Sequence, residues 1–166
     1  MSEPLAERMR PQTLDEYVGQ QHLVGEGAVL RRMLESGRIP SFILWGPPGV
    51  GKTTLARIVA RQLKVPFYTL SAVTSGVKEV REVIERAKNS SFFNTTSPIL
   101  FIDEIHRFSK SQQDTLLGAV EHGTVTLIGA TTENPSFEVI RPLLSRCQVY
   151  VLKPLGKQDL QRLLER

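Results

Sequence analysis

The sequence predicts an α/β domain, a parallel sheet wrapped by helices. Three observations point there. Short apolar runs alternate with longer segments of helical period along the chain. The run 99–102, Ile-Leu-Phe-Ile, is continuous and apolar, as expected of a strand covered on both faces. A glycine-rich segment from Gly46 to Thr54 joins one such run directly to a helical stripe. At 166 residues the chain is long enough for one domain with its own core. Hydrophobic residues make up 40% and charged residues 23%, ordinary for a globular protein in water. No apolar run approaches the roughly 20 residues of a membrane span, so no membrane partner is expected. The first residues lack the apolar stretch of a secretion signal. A single cysteine, Cys147, allows no internal disulfide and points to a reducing compartment. The net charge of +4 fits contact with nucleic acid and an ordinary basic surface equally well.

In chain order, Thr13 and Glu16 form a capping-box pair that predicts a helix starting near Leu14. A second helix carries Val29, Leu30, Met33 and Leu34 on one face and ends at Gly37. Ser41–Trp45 reads as a buried strand. The glycine-rich loop follows, then a helix striped by Leu55, Ile58, Val59 and Leu63. The next strand is 67–70, followed by a helix with Val77, Val80, Ile84 and Ala87 in phase. The polar stretch 89–98 reads as a loop before the strand 99–102. Ser109 and Gln112 cap a helix that runs to about Glu121 and stops at Gly123. The fourth strand is 124–130 and the fifth 148–152. An amphipathic helix with Leu160, Leu163 and Leu164 begins at Lys157. It reads as the start of a further domain, or as a short terminal helix.

Gly46-Pro47-Pro48-Gly49-Val50-Gly51-Lys52-Thr53 fits G-x-x-x-x-G-K-[ST], with Thr54 next. Glycines let backbone N–H groups turn inward and cradle phosphate oxygens. The helix that follows aims its positive end at the anion. In this pattern Lys52 reaches the β- and γ-phosphates, and the Thr53 hydroxyl ligates Mg²⁺. Asp103 and Glu104 directly follow the strand 99–102. A carboxylate there sits at the crevice where open α/β sheets bind ligands. Asp103 would hold the Mg²⁺ shell, and Glu104 would orient and polarise an attacking water. A water-activating acid beside the metal carboxylate disfavours a small-molecule kinase, which must exclude water. A GTPase would show N-K-x-D, which is absent. Mg-ATP hydrolysis is the reaction expected.

Gly46 to Thr54, Asp103-Glu104-Ile105-His106, Gly129-Ala130-Thr131-Thr132 and Ser145-Arg146-Cys147 together resemble an AAA+ ATPase of the clamp-loader clade. The opening stretch from Arg10-Pro11-Gln12-Thr13 through Val18-Gly19-Gln20 fits the same clade. The stretches from Phe101 to Phe108 and from Ile128 to Phe137 narrow the likeness to the RarA/MgsA family, related to the Werner-helicase-interacting protein. It covers the chain from about Pro4 to Leu155.

This resemblance implies a P-loop core of five parallel strands in the order 5-1-4-3-2. Residues 1–155 would be the AAA+ core, with an N-terminal segment 1–40 and a Rossmann-like part 41–155. Residues 156–166 would begin a truncated lid helix, with the lid's second arginine sensor and an oligomerisation domain beyond. Thr132 takes the sensor-1 place near the γ-phosphate, with Thr131 the alternative one register away. Arg146 reaches the ATP of a neighbouring subunit, which implies a homo-oligomer. Arg10, Val18 and Gly19 wrap adenine, and Ser71 is a polar switch touching Glu104. The partner is DNA, single-stranded or forked and bound without regard to sequence, contacted by Arg107, Lys110 and the helix from Ser109. A solvated polar face explains those last residues equally well. Single-strand-binding protein and other replication proteins are further partners. The implied role is ATP hydrolysis at stalled or damaged replication forks. The alternatives are a nucleotide-gated scaffold with little turnover, and a clamp-loader or Holliday-junction motor subunit. Such a protein works in the bacterial cytoplasm with the nucleoid, or in a nucleus. No zinc site is expected, since His106 and His122 have no ligand company.

Overall fold

Phe42, Ile43 and Leu44 are consecutive in sequence and all fully buried. Alternate residues of a strand face opposite sides of a sheet, so both sides of this one are covered. Phe42 and Leu44 join one core cluster, and Ile43 joins the other. A computed structural model describes residues 11, 13–14, 16–17, 19–90 and 96–165. Its strands are β1 (Ser41–Trp45), β2 (Phe67–Ser71), β3 (Ile99–Asp103), β4 (Thr126–Thr131) and β5 (Cys147–Val151). They form one sheet in the order β2-β3-β4-β1-β5, with every pair parallel. Read from its other edge, that is the expected 5-1-4-3-2.

The helices are α1 (Gln21–Val24), α2 (Val29–Ser36), α3 (Lys52–Leu63), α4 (Val77–Ser90), α5 (Lys110–Glu121), α6 (Pro135–Glu138), α7 (Arg141–Leu144) and α8 (Lys157–Glu165). A 3₁₀ turn, Ile105–Arg107, follows β3. On one face of the sheet, α1, α2 and α3 bury Leu23, Leu30, Leu34, Leu55 and Ile58. On the other, α4 and α5 bury Val80, Ile84, Ala87 and Leu116. At the start of α5, Ser109 accepts from the Gln112 backbone N–H, and the Gln112 side chain accepts from the Ser109 N–H. That reciprocal pair satisfies two helix-end donors, as expected.

Local chemistry moves several boundaries. Thr13 Oγ1 accepts from the Glu16 N–H at 3.3 Å, but this caps a turn. Gly19 and Gln20, with φ of 84° and 57°, redirect the chain before any longer helix develops. The short α1, α6 and α7 have too few residues for a periodic signal. β4 starts at Thr126, later than expected, because the Thr124 and Val125 N–H groups both point back to the Ala119 carbonyl in the exit from α5. β5 starts one residue early, at Cys147, paired to Ser41. Helix α4 runs through Asn89 and Ser90, shortening the expected loop.

Candidate functional site

β3, β4 and β1 are adjacent, and their C-terminal ends close on one cleft of about 280 Å³. Residues 48–54, Asp103, Glu104, Thr131 and Thr132 line it. Segments far apart in sequence thus meet where the motifs require.

The first wall is backbone. Gly46 continues the β1 ladder, its N–H donating to the Thr131 carbonyl at 3.1 Å. A Cβ on Gly46 would sit 2.7 Å from Leu152 Cβ, so only glycine fits against the chain leaving β5. Gly49 and Gly51 have φ of 81° and 85°, the left-handed region that disfavours side chains. Gly51 is also the N-cap of α3, and no side chain caps that end. The first-turn amides of α3 are therefore left to an anion. Lys52 Nζ donates to the Gly46 and Pro47 carbonyls at 2.7 and 2.9 Å, which holds its ammonium over the loop. Burial lowers the Lys52 pKa from its ordinary value, and the Asp103 carboxylate opposes that shift.

Tyr17 braces this wall from behind. It is 3% exposed, and its hydroxyl lies 2.7 Å from the Val50 carbonyl and 3.1 Å from that of Gly51. Burial raises the phenol pKa far above its ordinary value, which keeps it a donor. A lone tyrosine in a polar segment carries no sequence signal for this job. Gln20 adds a second tie, donating to the Lys153 carbonyl at 2.7 Å and accepting from the Lys153 N–H at 2.9 Å. The N-terminal segment is thereby fastened to the loop and to the exit of β5.

The second wall is side chain. Asp103 ends β3, and Glu104 follows with φ 53° and ψ 47°, a left-handed backbone rare for a non-glycine residue. That twist starts the 3₁₀ turn. Glu104 Oε2 lies 3.7 Å from Arg107 Nε. Thr131 is buried, and its hydroxyl accepts from the Glu133 N–H at 2.9 Å. The exposed Thr132 has no such internal duty among the described residues, which favours it over Thr131 for reaching a ligand. Thr53 and Asp103 offer the hard oxygen donors that Mg²⁺ takes, so the lining fits a Mg-nucleotide.

Gly19, Ser71, Arg107, Lys110 and Arg146 do not line the cleft. Arg10 and Val18 fall outside the described residues. Gly19 packs toward Leu155 and Asp159, where a Cβ would meet Leu155 Cδ2 at 2.8 Å. The Ser71 hydroxyl accepts from the Val73 N–H at 3.4 Å and makes no bond to Glu104. Arg107 and Lys110 are exposed, and Arg107 faces Glu104 of the second wall. Arg146 sits at the start of β5, where Cys147 pairs with Ser41. That is the opposite end of the sheet from the cleft, about 13 Å away along the strands. Its guanidinium pairs with Glu121 at 2.7 Å and donates to the Pro142 carbonyl at 2.7 Å.

A profile described as "ATPase family associated with various cellular activities (AAA)" matches residues 42–155. The chain belongs to the AAA family. This AAA chain is 56% identical to Replication-associated recombination protein A of Escherichia coli K12 over 162 residues, 98% of its own length and 36% of the relative's. To ATPase WRNIP1 of Dictyostelium discoideum it is 52% identical, covering 98% of this chain and 18% of that one. The chain thus spans about a third or less of these relatives' length. Among solved structures, the Thermotoga maritima RuvB Holliday junction branch migration motor matches with a TM-score of 0.75 at 30% identity. That match covers 95% of this chain and 53% of RuvB. The likeness to the RarA/MgsA family expected from the motifs therefore holds over nearly the whole chain.

Proposed function

We propose that this AAA core hydrolyses ATP and, within its complete protein, couples that reaction to remodelling DNA at stalled or damaged replication forks. One observation carries the chemical half. Loop residues 48–54, the acids Asp103 and Glu104, and Thr132 come from three strand ends and line a single cleft. In this reading the loop amides and Lys52 hold the β- and γ-phosphates. Thr53 and Asp103 would hold Mg²⁺, which when bound would offset the charge of the phosphates. Glu104 takes a proton from the attacking water, and Thr132 fixes the γ-phosphate or that water. Arg146, directed away from its own cleft, supplies a guanidinium to the cleft of a neighbouring subunit. That role in trans requires a homo-oligomer.

The DNA half rests on the relatives' names and on the exposed Arg107, beside Glu104, and Lys110. Such contacts would read phosphates without sequence preference and weaken with salt. Single-strand-binding protein is a candidate partner, and the compartment is the bacterial cytoplasm or a nucleus. The likeness to RuvB supports a second reading, a branch-migration motor, yet the replication-recombination relatives are nearly twice as identical. A steady-state phosphate-release assay on the full-length protein, with single-stranded, forked and four-way DNA, separates the readings. Stimulation by forked or single-stranded DNA is expected. A preference for four-way junctions favours the motor, and no release under any condition favours a nucleotide-gated scaffold.

A further inference from the structure

His106 belongs to no metal cluster among the described residues, and the hydrolysis scheme gives it no task. Its position suggests one. The 3₁₀ turn after Glu104 docks on β4 through two neighbouring contacts. Ile105 is fully buried over Gly129, where an added Cβ would sit 3.1 Å from Ile105 Cδ1. His106 Nδ1 lies 2.9 Å from Thr131 Oγ1. Thr131 is 1% exposed, and its hydroxyl also accepts from the Glu133 N–H at 2.9 Å. Either proton arrangement satisfies the group. The hydroxyl donates to His106 Nδ1, or it receives the His106 proton and donates to the Glu133 carbonyl 3.2 Å away. Glu104 immediately precedes this docked turn, and Thr132 immediately follows Thr131. The bridge therefore spans between the two groups assigned to water and γ-phosphate, and it buttresses the left-handed backbone of Glu104.

We infer that His106 is a positioning residue, fixing Glu104 relative to Thr132 through the buried Thr131 hydroxyl. This rests on the hydrolysis reading above. A misplaced base slows turnover while leaving the phosphate cradle intact, because the cradle is built on β1 and α3.

The test uses full-length protein, with kcat from phosphate release and Mg-ATP affinity from calorimetry. His106→Ala and Thr131→Val should each lower kcat about tenfold and leave the Mg-ATP Kd within about twofold. The double variant should be no slower than either single one, as for two ends of one bond. His106→Asn, whose amide occupies the place of Nδ1, should recover most of the rate, and Thr131→Ser should match wild type. The idea is overturned if His106→Ala keeps its kcat, if the two losses multiply, or if His106→Asn is as slow as His106→Ala. It is equally overturned if the rate falls only in step with affinity. Should His106→Ala not fold, the Asn, Ser and Val variants decide alone. An inactive wild type, or Glu104→Gln as fast as wild type, instead indicts the hydrolysis reading.

Discussion

The two ends of this sheet are built for different audiences. At the C-terminal end, β1, β3 and β4 present a loop, two acids and a threonine to one cleft. At the N-terminal end, Arg146 lies next to Cys147 at the start of β5, with its guanidinium on Glu121 and the Pro142 carbonyl. A parallel sheet puts all its strand ends of one kind together, so a residue before β5 cannot serve the cleft after β1. The lesson concerns assembly. The loop, the two acids and the threonine meet within one chain, whereas the role in trans proposed for Arg146 needs a second copy.

Breaking the distant end should cost most. Arg146→Ala in the full-length protein should reduce kcat about a thousandfold with little change in Mg-ATP affinity. Mixing it with a Glu104→Gln variant should restore turnover at clefts that pair an intact Glu104 with a neighbour's Arg146. Without restoration, the arginine acts in its own chain or not at all. Glu104→Gln alone should lower kcat by about a hundredfold or more while retaining bound ATP, measured by filter binding alongside phosphate release. Retained wild-type turnover would remove Glu104 from the mechanism.

Smaller effects probe how each end is braced. Tyr17→Phe deletes the hydroxyl that meets the Val50 and Gly51 carbonyls. The loss of about 1 kcal/mol from one buried hydrogen bond should appear as a lower Tm and a several-fold weaker Mg-ATP Kd. An unchanged Kd would separate the N-terminal segment from the loop. Next to Arg146, burial pushes the Cys147 thiol up to about 12. Its thiolate is therefore scarce at pH 8, and iodoacetamide should label native protein far more slowly than unfolded protein. Fast native labelling would mean that the start of β5 opens readily.

How much could be read in advance follows the same division. Gly46 to Thr54 is contiguous, and its chemistry requires glycines at set places, so the sequence announces it. The strand cores were legible because β1 and β3 are covered on both faces and read as unbroken apolar runs. The second wall was only half legible. Asp103 and Glu104 follow a strand, but the His106–Thr131 bond joins residues 25 apart and depends on a left-handed Glu104. Periodicity carries no trace of such a contact. Tyr17 is hidden for the same reason, acting across 33 residues on carbonyls that every sequence possesses. The Thr13–Glu16 pair misled because a capping bond also closes an isolated turn.

Calorimetric titration of the full-length protein with ATP and Mg²⁺, beside its Lys52→Ala variant, bears most directly on the cleft. The expected result is one site per chain with micromolar to submillimolar affinity, weakened about a hundredfold or lost in the variant. No heat of binding at millimolar Mg-ATP, or equal affinity in both proteins, would contradict the assignment of this cleft to a nucleoside triphosphate.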